Sequence, residues 1–279
     1  MSRLRDAAER AARRLGYDLV PRGPVSPVPE VPPEGDWLWS RRSRLPLDLD
    51  AQLALIEGPL RPHLSGLRDF DLWNGLFQAG DAEVLYALIR HLRPARIAEI
   101  GCGHSTLVTA AACEANARDG APAELLAVDP EPRIEVPVRV ERVDCRDVPA
   151  ERFERLRDGD VLFVDTWHVV KLGAEVNWIV LDLLPRLAPG VWVHFHDVFL
   201  PYEYPRWIFT TAGYLNEQYL LEAFLLGGEW TVELAMAALF RDRHERLTAA
   251  IPSLREPVPG VPELRTWPPS SFWLRRTSG

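Results

Sequence analysis

The stretch Arg96-Ile-Ala-Glu-Ile-Gly-Cys-Gly-His-Ser-Thr106 decides how this chain folds. Residues 96–100 are mostly apolar and a glycine follows them at once, which predicts a short buried strand that ends in a sharp turn. Gly101 and Gly103 carry no Cβ atom, so the backbone is free to turn tightly and to approach a ligand closely. The residues after the turn predict a helix over 105–118. The stretch therefore predicts a strand, a glycine turn and a helix in direct succession.

The polar residues of this stretch indicate which ligand the turn would accept. Ser105 and Thr106 are candidate caps of the helix. Glu99 lies two residues before the first glycine, so its carboxylate would be carried to the carboxyl end of the strand. A carboxylate there would repel the pyrophosphate of a dinucleotide, whereas it would attract a ligand with an ammonium or sulfonium group. An ordinary strand-to-helix turn without a ligand would show the same two glycines.

Strands alternate with helices in the chain that follows. Strands separated by helices form a mostly parallel sheet with both faces covered, so the expected fold class is α/β with a Rossmann-like doubly wound sheet. Further strands are predicted over 124–128, 138–143, 161–164, 191–195, 230–234 and 271–274, and helices from Pro149 and over 173–187, 216–226 and 236–247.

The N-terminal part is interpreted as a helical and proline-rich extension, 1–69, ahead of one domain over 70–279. An extended linker is predicted between Pro21 and Pro46. The aromatic segment 70–80 is a candidate lid, and Asp81 after it is a candidate helix cap. Helices in this part of the chain are predicted over 3–15, 47–60 and 81–92.

Composition excludes several classes of function. The 279 residues are 47% hydrophobic and 26% charged, as in an ordinary globular chain. A formal net charge of −8 argues against nucleic-acid and anionic-membrane partners. Three cysteines without paired or metal-type spacing fit a reducing cytoplasm. The sequence has no apolar run long enough to span a membrane and no signal-peptide core, so we expect a cytoplasmic protein.

An acid stands at the carboxyl end of each of five successive predicted strands. Ligands of open α/β sheets bind outside these ends, so the acids together predict a site, although each one alone is explained as a solvated loop residue. Four of the seven histidines lie at or just past the same ends. The acids are Glu99, Asp129, Asp144, Asp165 and Asp197, and the histidines are His104, His168, His194 and His196.

The acids at the second and third strands suggest nucleoside recognition. Asp129 is able to accept hydrogen bonds from both hydroxyls of a ribose. An NAD enzyme would use such a residue in the same way, so Asp129 alone does not distinguish a dinucleotide site from a site for a ligand with an ammonium or sulfonium group. Asp147, just after the third strand, is a candidate hydrogen-bond acceptor for a ligand or, equally, a cap of the helix that begins at Pro149.

The fourth and fifth strands carry the candidate chemistry. Asp165, His196 and Asp197 would converge from adjacent strand ends, and this set of oxygen and nitrogen ligands suits a divalent ion. Such an ion would lower the pKa of a substrate hydroxyl. His168 lies three residues after Asp165 and is a candidate general base that needs no metal, because the pKa of histidine lies near neutrality.

The acid and glycine turn resemble the first motif of the class I S-adenosylmethionine-dependent methyltransferases. Four runs resemble a bacterial subfamily of that family, of which macrocin-type sugar O-methyltransferases are distant relatives; they span 163–177, 184–191, 194–205 and, with a gap, 207–221. The resemblance implies a methyltransferase domain over 70–279 with a seven-stranded sheet in the order 3-2-1-4-5-7-6, its last strand antiparallel. It implies S-adenosylmethionine as the cofactor, bound by Glu99, Gly101, Gly103, Ser105, Asp129, Arg146 and Asp147, the last as acceptor for the amine of adenine.

The fourth and fifth strand ends are also similar to those of the metal-dependent catechol O-methyltransferases. On that resemblance Asp165, His196 and Asp197 hold Mg²⁺ or another divalent cation. His168 takes the position of the general base and, with Asp165, forms the catalytic set. The family has lysine where this chain has His168, and Asp-Asn where it has His196-Asp197, so the resemblance leaves metal dependence open.

The leading hypothesis is O-methylation of a small-molecule, sugar or natural-product hydroxyl. Tyr202, Tyr204 and Asn216 are expected to shape the acceptor pocket, and Glu217 and Tyr219 are candidates to face it. The alternatives are an NAD(P)-dependent oxidoreductase on the same sheet and an inactive methyltransferase-like partner subunit. The expected partner is a small-molecule acceptor, with no nucleic acid and no membrane, and homo-oligomerisation is left open.

Overall fold

The computed structural model describes residues 43–205, 208, 215–256 and 268–277. The predicted helix over 3–15 and most of the proline-rich linker lie outside these residues. Within the described ranges, no helix has both the length and the apolar character needed to cross a lipid bilayer.

The described strands form one seven-stranded sheet in the order β3-β2-β1-β4-β5-β7-β6, which confirms the order predicted from the resemblance. The first five strands pair in parallel, and β7 pairs antiparallel with both β5 and β6. The strands are β1 (Arg96–Ile100), β2 (Glu124–Val128), β3 (Val140–Glu141), β4 (Val161–Val164), β5 (Trp192–Phe195), β6 (Trp230–Ala235) and β7 (Phe272–Arg276).

Helices cover both faces of this sheet. They are α1 (Leu49–Leu55), α2 (Asp81–Leu92), α3 (His104–Arg118), α4 (Ala150–Phe153), α5 (Glu175–Trp178), α6 (Glu217–Leu225), α7 (Met236–Asp242) and α8 (His244–Ala250). Short π-helical turns span Ile56–Leu60 and Ile179–Leu183, and short 3₁₀ turns span Arg61–His63, Cys145–Asp147, Leu184–Arg186 and Pro252–Arg255.

Strand β4 shows how the sheet is buried on both sides. Val161 and Phe163 belong to one apolar core, together with residues of α2 and α3. Leu162 and Val164 belong to the other core, which α5 and α6 cover. Successive side chains of a strand point to opposite faces, so a strand that is buried on both sides must be apolar throughout.

The structure differs from the sequence-based elements where prolines or sheet edges intervene. The predicted helices over 47–60 and 173–187 pass into π and 3₁₀ turns at Pro59 and Pro185. Proline has no N–H to donate and its ring crowds the preceding turn, so a regular α-helix does not continue there. The predicted strand over 138–143 pairs only at Val140–Glu141, on the edge of the sheet. The predicted helix over 236–247 breaks at Arg243, whose backbone is not helical.

The parallel register brings four chain segments to one edge of the sheet. Ile100 is level with Val128 on one side and with Val164 on the other, and Val164 is level with Phe195. The residues that follow these four strand ends therefore lie side by side at the carboxyl edge, which is where ligands of such sheets bind.

Candidate active site

The glycine turn packs directly against the end of β4. Gly101 has a φ of +86°, and a Cβ atom on it would lie 1.8 Å from the carbonyl oxygen of Asp165. Only glycine fits, because this φ is disfavoured for other residues and the space is taken. Gly103 differs: its backbone is extended, and a Cβ atom there would meet no atom of the described residues within 4 Å. The described part of the chain therefore leaves open space in front of Gly103.

Glu99 is fully buried behind this turn. Its Oε1 accepts hydrogen bonds from Ser105 Oγ at 2.7 Å and from Thr106 Oγ1 at 2.9 Å, whereas its Oε2 has no hydrogen-bond partner among the described residues. Burial raises the pKa of Glu99 to about 7, against the effect of the two hydroxyls, and the charges of Asp165 and Asp129 add to the increase. The ionised form is thus costly until a positive group approaches.

Both hydroxyl residues after the turn donate to Glu99, and one of them also takes part in capping the helix. Thr106 Oγ1 accepts the N–H of Gly103 at 2.9 Å, so Thr106 takes part in capping α3. The hydroxyl of Ser105 donates to Glu99 and caps nothing. Ser105 therefore supports the acid directly, and its predicted contact with a cofactor stays a prediction.

Asp129 lies at the end of β2 and is held in place by two backbone groups. Its Oδ2 accepts the N–H of Cys102 at 2.8 Å, and its Oδ1 accepts the N–H of Glu131 at 2.7 Å. An ionised carboxylate offers about four acceptor sites, so about two remain for a ligand. The carboxylate is thereby fixed beside the glycine turn.

The predicted adenine contacts are engaged elsewhere or lie at the surface. The Arg146 guanidinium donates to both carboxylate oxygens of Asp144, at 2.8 and 2.6 Å, and to the carbonyl of Gly173 at 2.6 Å. Arg146 thus ties the loop after β3 to the loop before α5. Asp147 is exposed and does not cap α4, whose N-terminus at Pro149 has no side-chain cap. Binding of a cofactor by either residue stays a prediction.

His168 lies at the centre of a buried charged cluster. Its Nδ1 is 2.8 Å from Glu217 Oε2, and its Nε2 is 3.1 Å from Asp165 Oδ1 and 3.7 Å from Asp197 Oδ2. His168 has a φ of +56° and Asp197 a φ of +54°. Side-chain-bearing residues rarely adopt such angles, and strained residues of this kind concentrate at functional sites.

His196 forms the second half of the cluster. Its Nε2 is 3.5 Å from Asp81 Oδ2, and its Nδ1 is 3.6 Å from Asp197 Oδ1 and 3.9 Å from Asp165 Oδ2. Ser270 Oγ donates to Asp197 Oδ1 at 3.0 Å. Asp81 also accepts the N–H groups of residues 270 and 271, both at 2.9 Å, and so joins the start of α2 to β7.

The carboxylates make both histidines cationic at neutral pH. Burial alone lowers the pKa of His168, but hydrogen bonds to Asp165 and Glu217 and the charge of Asp197 outweigh it and raise the pKa well above 6.5. Burial likewise lowers the pKa of His196. The charges of Asp165, Asp197 and Asp81 outweigh burial and raise this pKa to about 9. The expectation that His168 has an ordinary, near-neutral pKa is therefore wrong, because three carboxylates surround it.

The predicted metal ligands Asp165, His196 and Asp197 do come together, but as ion pairs. The nitrogens of the His196 ring face carboxylate oxygens on both sides. Across the residues that the structure describes, no group of three or more His, Cys, Asp or Glu side chains is placed to hold a metal ion. The nitrogens of His196 are thus already engaged by carboxylates, and the geometry does not support the expected divalent cation.

The predicted acceptor residues are mostly packed into the protein. Tyr202 is fully buried and hydrogen-bonds Asp242 through its hydroxyl. The hydroxyl of Tyr204, which is also buried, accepts the N–H of Gln218 at 3.1 Å. Asn216 Oδ1 accepts the N–H of Val170 at 2.5 Å and so binds the loop that carries His168. Contact of these three residues with an acceptor stays a prediction.

The segment 70–80 is anchored rather than free. Asn74 Oδ1 accepts the N–H groups of Leu76 and Phe77, at 2.9 and 2.8 Å. Phe77 is 2% exposed, and its ring centroid lies 5.1 Å from that of His196. The part of the predicted lid around Phe77 is therefore packed into the core, next to the charged cluster.

The two remaining strand-end histidines differ from His168 and His196. His194 is fully buried and stacks on Phe163, with ring centroids 4.0 Å apart. Burial and the charge of His196 lower its pKa well below 6.5, so His194 is a neutral core residue. The ring of His104 meets the edge of Phe70, with centroids 6.4 Å apart, and contributes to packing above the turn.

Sequence reasoning missed the partners of the two charged histidines. The local sequence predicts only a helix cap at Asp81. In the structure the Asp81 carboxylate lies beside His196 and accepts two N–H groups just before β7. The pairing of Glu217 with His168 and the contact of Ser270 with Asp197 join segments far apart in the chain, and no local motif marks them. The one feature of the sequence that could have indicated these partners is an acid in the first turn of α2 and of α6.

A protein-family comparison matches the segment that carries most of these residues. Residues 98–198 match the family model of a methyltransferase domain, a range that runs from β1 past His196 and Asp197. No curated protein matches the chain. A crystal structure of a proposed methyltransferase from Thermobifida fusca YX is similar at 14% identity, over 82% of this chain and 93% of that one, with a TM-score of 0.34.

Proposed function

We propose that this protein is an S-adenosylmethionine-dependent methyltransferase that acts on a hydroxyl group of a small-molecule acceptor. The observation that carries the proposal is the glycine turn with acids on every side. Glu99, Asp129 and Asp165 lie around it at the carboxyl edge of β1, β2 and β4, and no described residue fills the space before Gly103. The match of residues 98–198 to a methyltransferase domain supports the same conclusion.

The residues present fit this cofactor better than a dinucleotide. S-adenosylmethionine would supply an electrophilic methyl group on a positively charged sulfur. Glu99 keeps a buried carboxylate oxygen without a partner among the described residues, and its raised pKa means that a nearby positive charge would stabilise its ionised form. Asp129 has acceptor sites left for the two ribose hydroxyls. Three acids in this place would oppose a pyrophosphate.

The acceptor would bind at the ends of β4 and β5. His168 Nε2 lies between Asp165 and Asp197, and we assign to it the proton of the acceptor hydroxyl. Because its pKa is raised well above 6.5, the neutral base is the minor form at neutral pH, and turnover should increase as the pH rises. Much of the acceleration would come from holding donor and acceptor in line.

Titration calorimetry tests the cofactor assignment without knowledge of the acceptor. We expect S-adenosylhomocysteine to bind the wild-type protein and NADH not to bind. Binding of NADH alone would favour the oxidoreductase and contradict the proposal. Transfer of a radiolabelled methyl group from S-adenosylmethionine to a panel of sugars and phenols then tests the O-methyltransferase activity.

A further inference from the structure

We propose that Glu217 is the positioning residue of His168, which it holds with the Nδ1 proton in their shared hydrogen bond, so that Nε2 is the nitrogen that exchanges a proton with the acceptor. This inference rests on the proposed function, since it assigns a role within the same site. Glu217 does not touch the reacting atoms, and it acts only through the imidazole ring.

The contact between the two side chains is short and shielded from water. Glu217 Oε2 lies 2.8 Å from His168 Nδ1, and the two residues are 1% and 7% exposed. The other oxygen, Oε1, has no hydrogen-bond partner among the described residues. A buried carboxylate is costly to keep, and in the described part of the chain the imidazole is its side-chain partner.

The backbone at the start of α6 also hydrogen-bonds to His168. The N–H groups of Asn216 and Glu217 both donate to the carbonyl oxygen of His168, at 2.9 and 3.2 Å. Asn216 Oδ1 also accepts the N–H of Val170, two residues further along the loop. Helix α6 thus fixes both the main chain and the ring of His168. The φ of His168 is +56°, and a residue keeps such a conformation only when its surroundings enforce it.

These contacts have a consequence for the proton. To act as a base, the cationic ring must first release the proton that Nε2 directs at Asp165, 3.1 Å away. The shorter contact of 2.8 Å with Glu217 keeps the other proton on Nδ1, so the lone pair is left on Nε2. In the step that this serves, the acceptor O–H bond breaks and its proton passes to Nε2. The oxygen pair forms the bond to the methyl carbon, and the carbon–sulfur pair stays with sulfur. A base oriented by a buried carboxylate is a recurrent arrangement in catalysis.

The test combines a spectroscopic and a binding measurement on the full chain. In protein with ¹⁵N-labelled histidine, the Nδ1–H proton of His168 should resonate far downfield, because it lies in a short hydrogen bond to a carboxylate. Its signal is identified by its loss in His168→Gln. We expect it to move upfield in Glu217→Gln, and to stay in place in Glu222→Gln, a control that replaces another buried glutamate of α6. Should Glu217→Gln not fold, Glu217→Asp replaces it, with an intermediate shift expected.

The same proteins separate this inference from the proposed function. We expect S-adenosylhomocysteine to bind Glu217→Gln as it binds the wild type, and turnover with an acceptor from the sugar and phenol panel to fall about 10²-fold with KM for the donor unchanged. A folded Glu217→Gln protein with the wild-type His168 signal would overturn the positioning role and leave the function standing. Failure of the wild type to bind S-adenosylhomocysteine would overturn the function, whatever the spectrum shows.

Discussion

The replacement Glu99→Gln separates what the buried acid costs the fold from what it contributes to binding. Glutamine keeps an oxygen that accepts from Ser105 and Thr106, so the local hydrogen bonds persist. It removes the charge that burial disfavours. The amide group would occupy the place of Oε2, which has no partner among the described residues, and any cost of that mismatch does not depend on pH.

The magnitude follows from the pKa of Glu99, which burial raises from 4.5 to about 7. The folded state binds this proton more tightly than the unfolded state does. Its contribution to stability is therefore complete below pH 4.5 and is lost as the pH rises through about 7. One pKa unit corresponds to about 1.4 kcal/mol, so the loss between pH 5 and pH 8 is about 2.5 kcal/mol. For a chain of this size that is about 5–10 °C in Tm.

Thermal and urea unfolding at pH 5 and pH 8 measure this difference. We expect the stability of Glu99→Gln relative to the wild type to increase by about 2.5 kcal/mol between the two pH values. If the proposed function holds, affinity for S-adenosylhomocysteine should fall in the same variant, because the negative charge that would favour the amino group of the ligand is removed. Glu114→Gln, on the exposed side of α3, controls for the loss of one negative charge. An equal stability difference at both pH values would refute the reasoning.

Four further replacements test the remaining parts of the site. Gly103→Ala should fold within about 1 kcal/mol of the wild type but bind S-adenosylhomocysteine poorly, whereas Gly101→Ala should fail to fold stably, as melting curves would show. Asp129→Ala should lose about 2–4 kcal/mol of S-adenosylhomocysteine affinity by calorimetry, and unchanged affinity in folded protein would exclude the ribose contact. His168→Gln should lower turnover about 10²–10⁴-fold with cofactor binding intact, and the wild-type rate should increase above neutral pH; a profile that levels off below pH 7 would contradict the raised pKa of His168.

The parallel part of the fold was predictable because its signals are local. The bounds of β1, β2 and β4 follow from short apolar runs that end at Gly101, Asp129 and Asp165. The position of β7 between β5 and β6 came only from the resemblance, since no local pattern determines which strand an antiparallel segment will join. The π turns were missed because periodicity alone does not show how a helix ends near Pro59 or Pro185.

The site was predictable in its strand-end acids but not in its charge balance. Asp165, His168, His196 and Asp197 do meet, as their places after β4 and β5 require. What the sequence does not show is that acids from distant helices complete the set. Asp81 reaches His196 from α2, and the acid at the start of α6 reaches His168. These additional carboxylates raise both histidine pKa values, so the ring charge depends on contacts that only the folded chain contains.

A crystal structure of the complex with S-adenosylhomocysteine tests the central claim most directly. We expect the ribose hydroxyls to lie within hydrogen-bond distance of the Asp129 carboxylate. The amino-acid chain of the ligand should pass in front of Gly103, and its sulfur should face the side of the cleft where His168 lies. A ligand bound away from the carboxyl edge of β1 and β2, or one whose ribose does not contact Asp129, would contradict the assignment of the cofactor site.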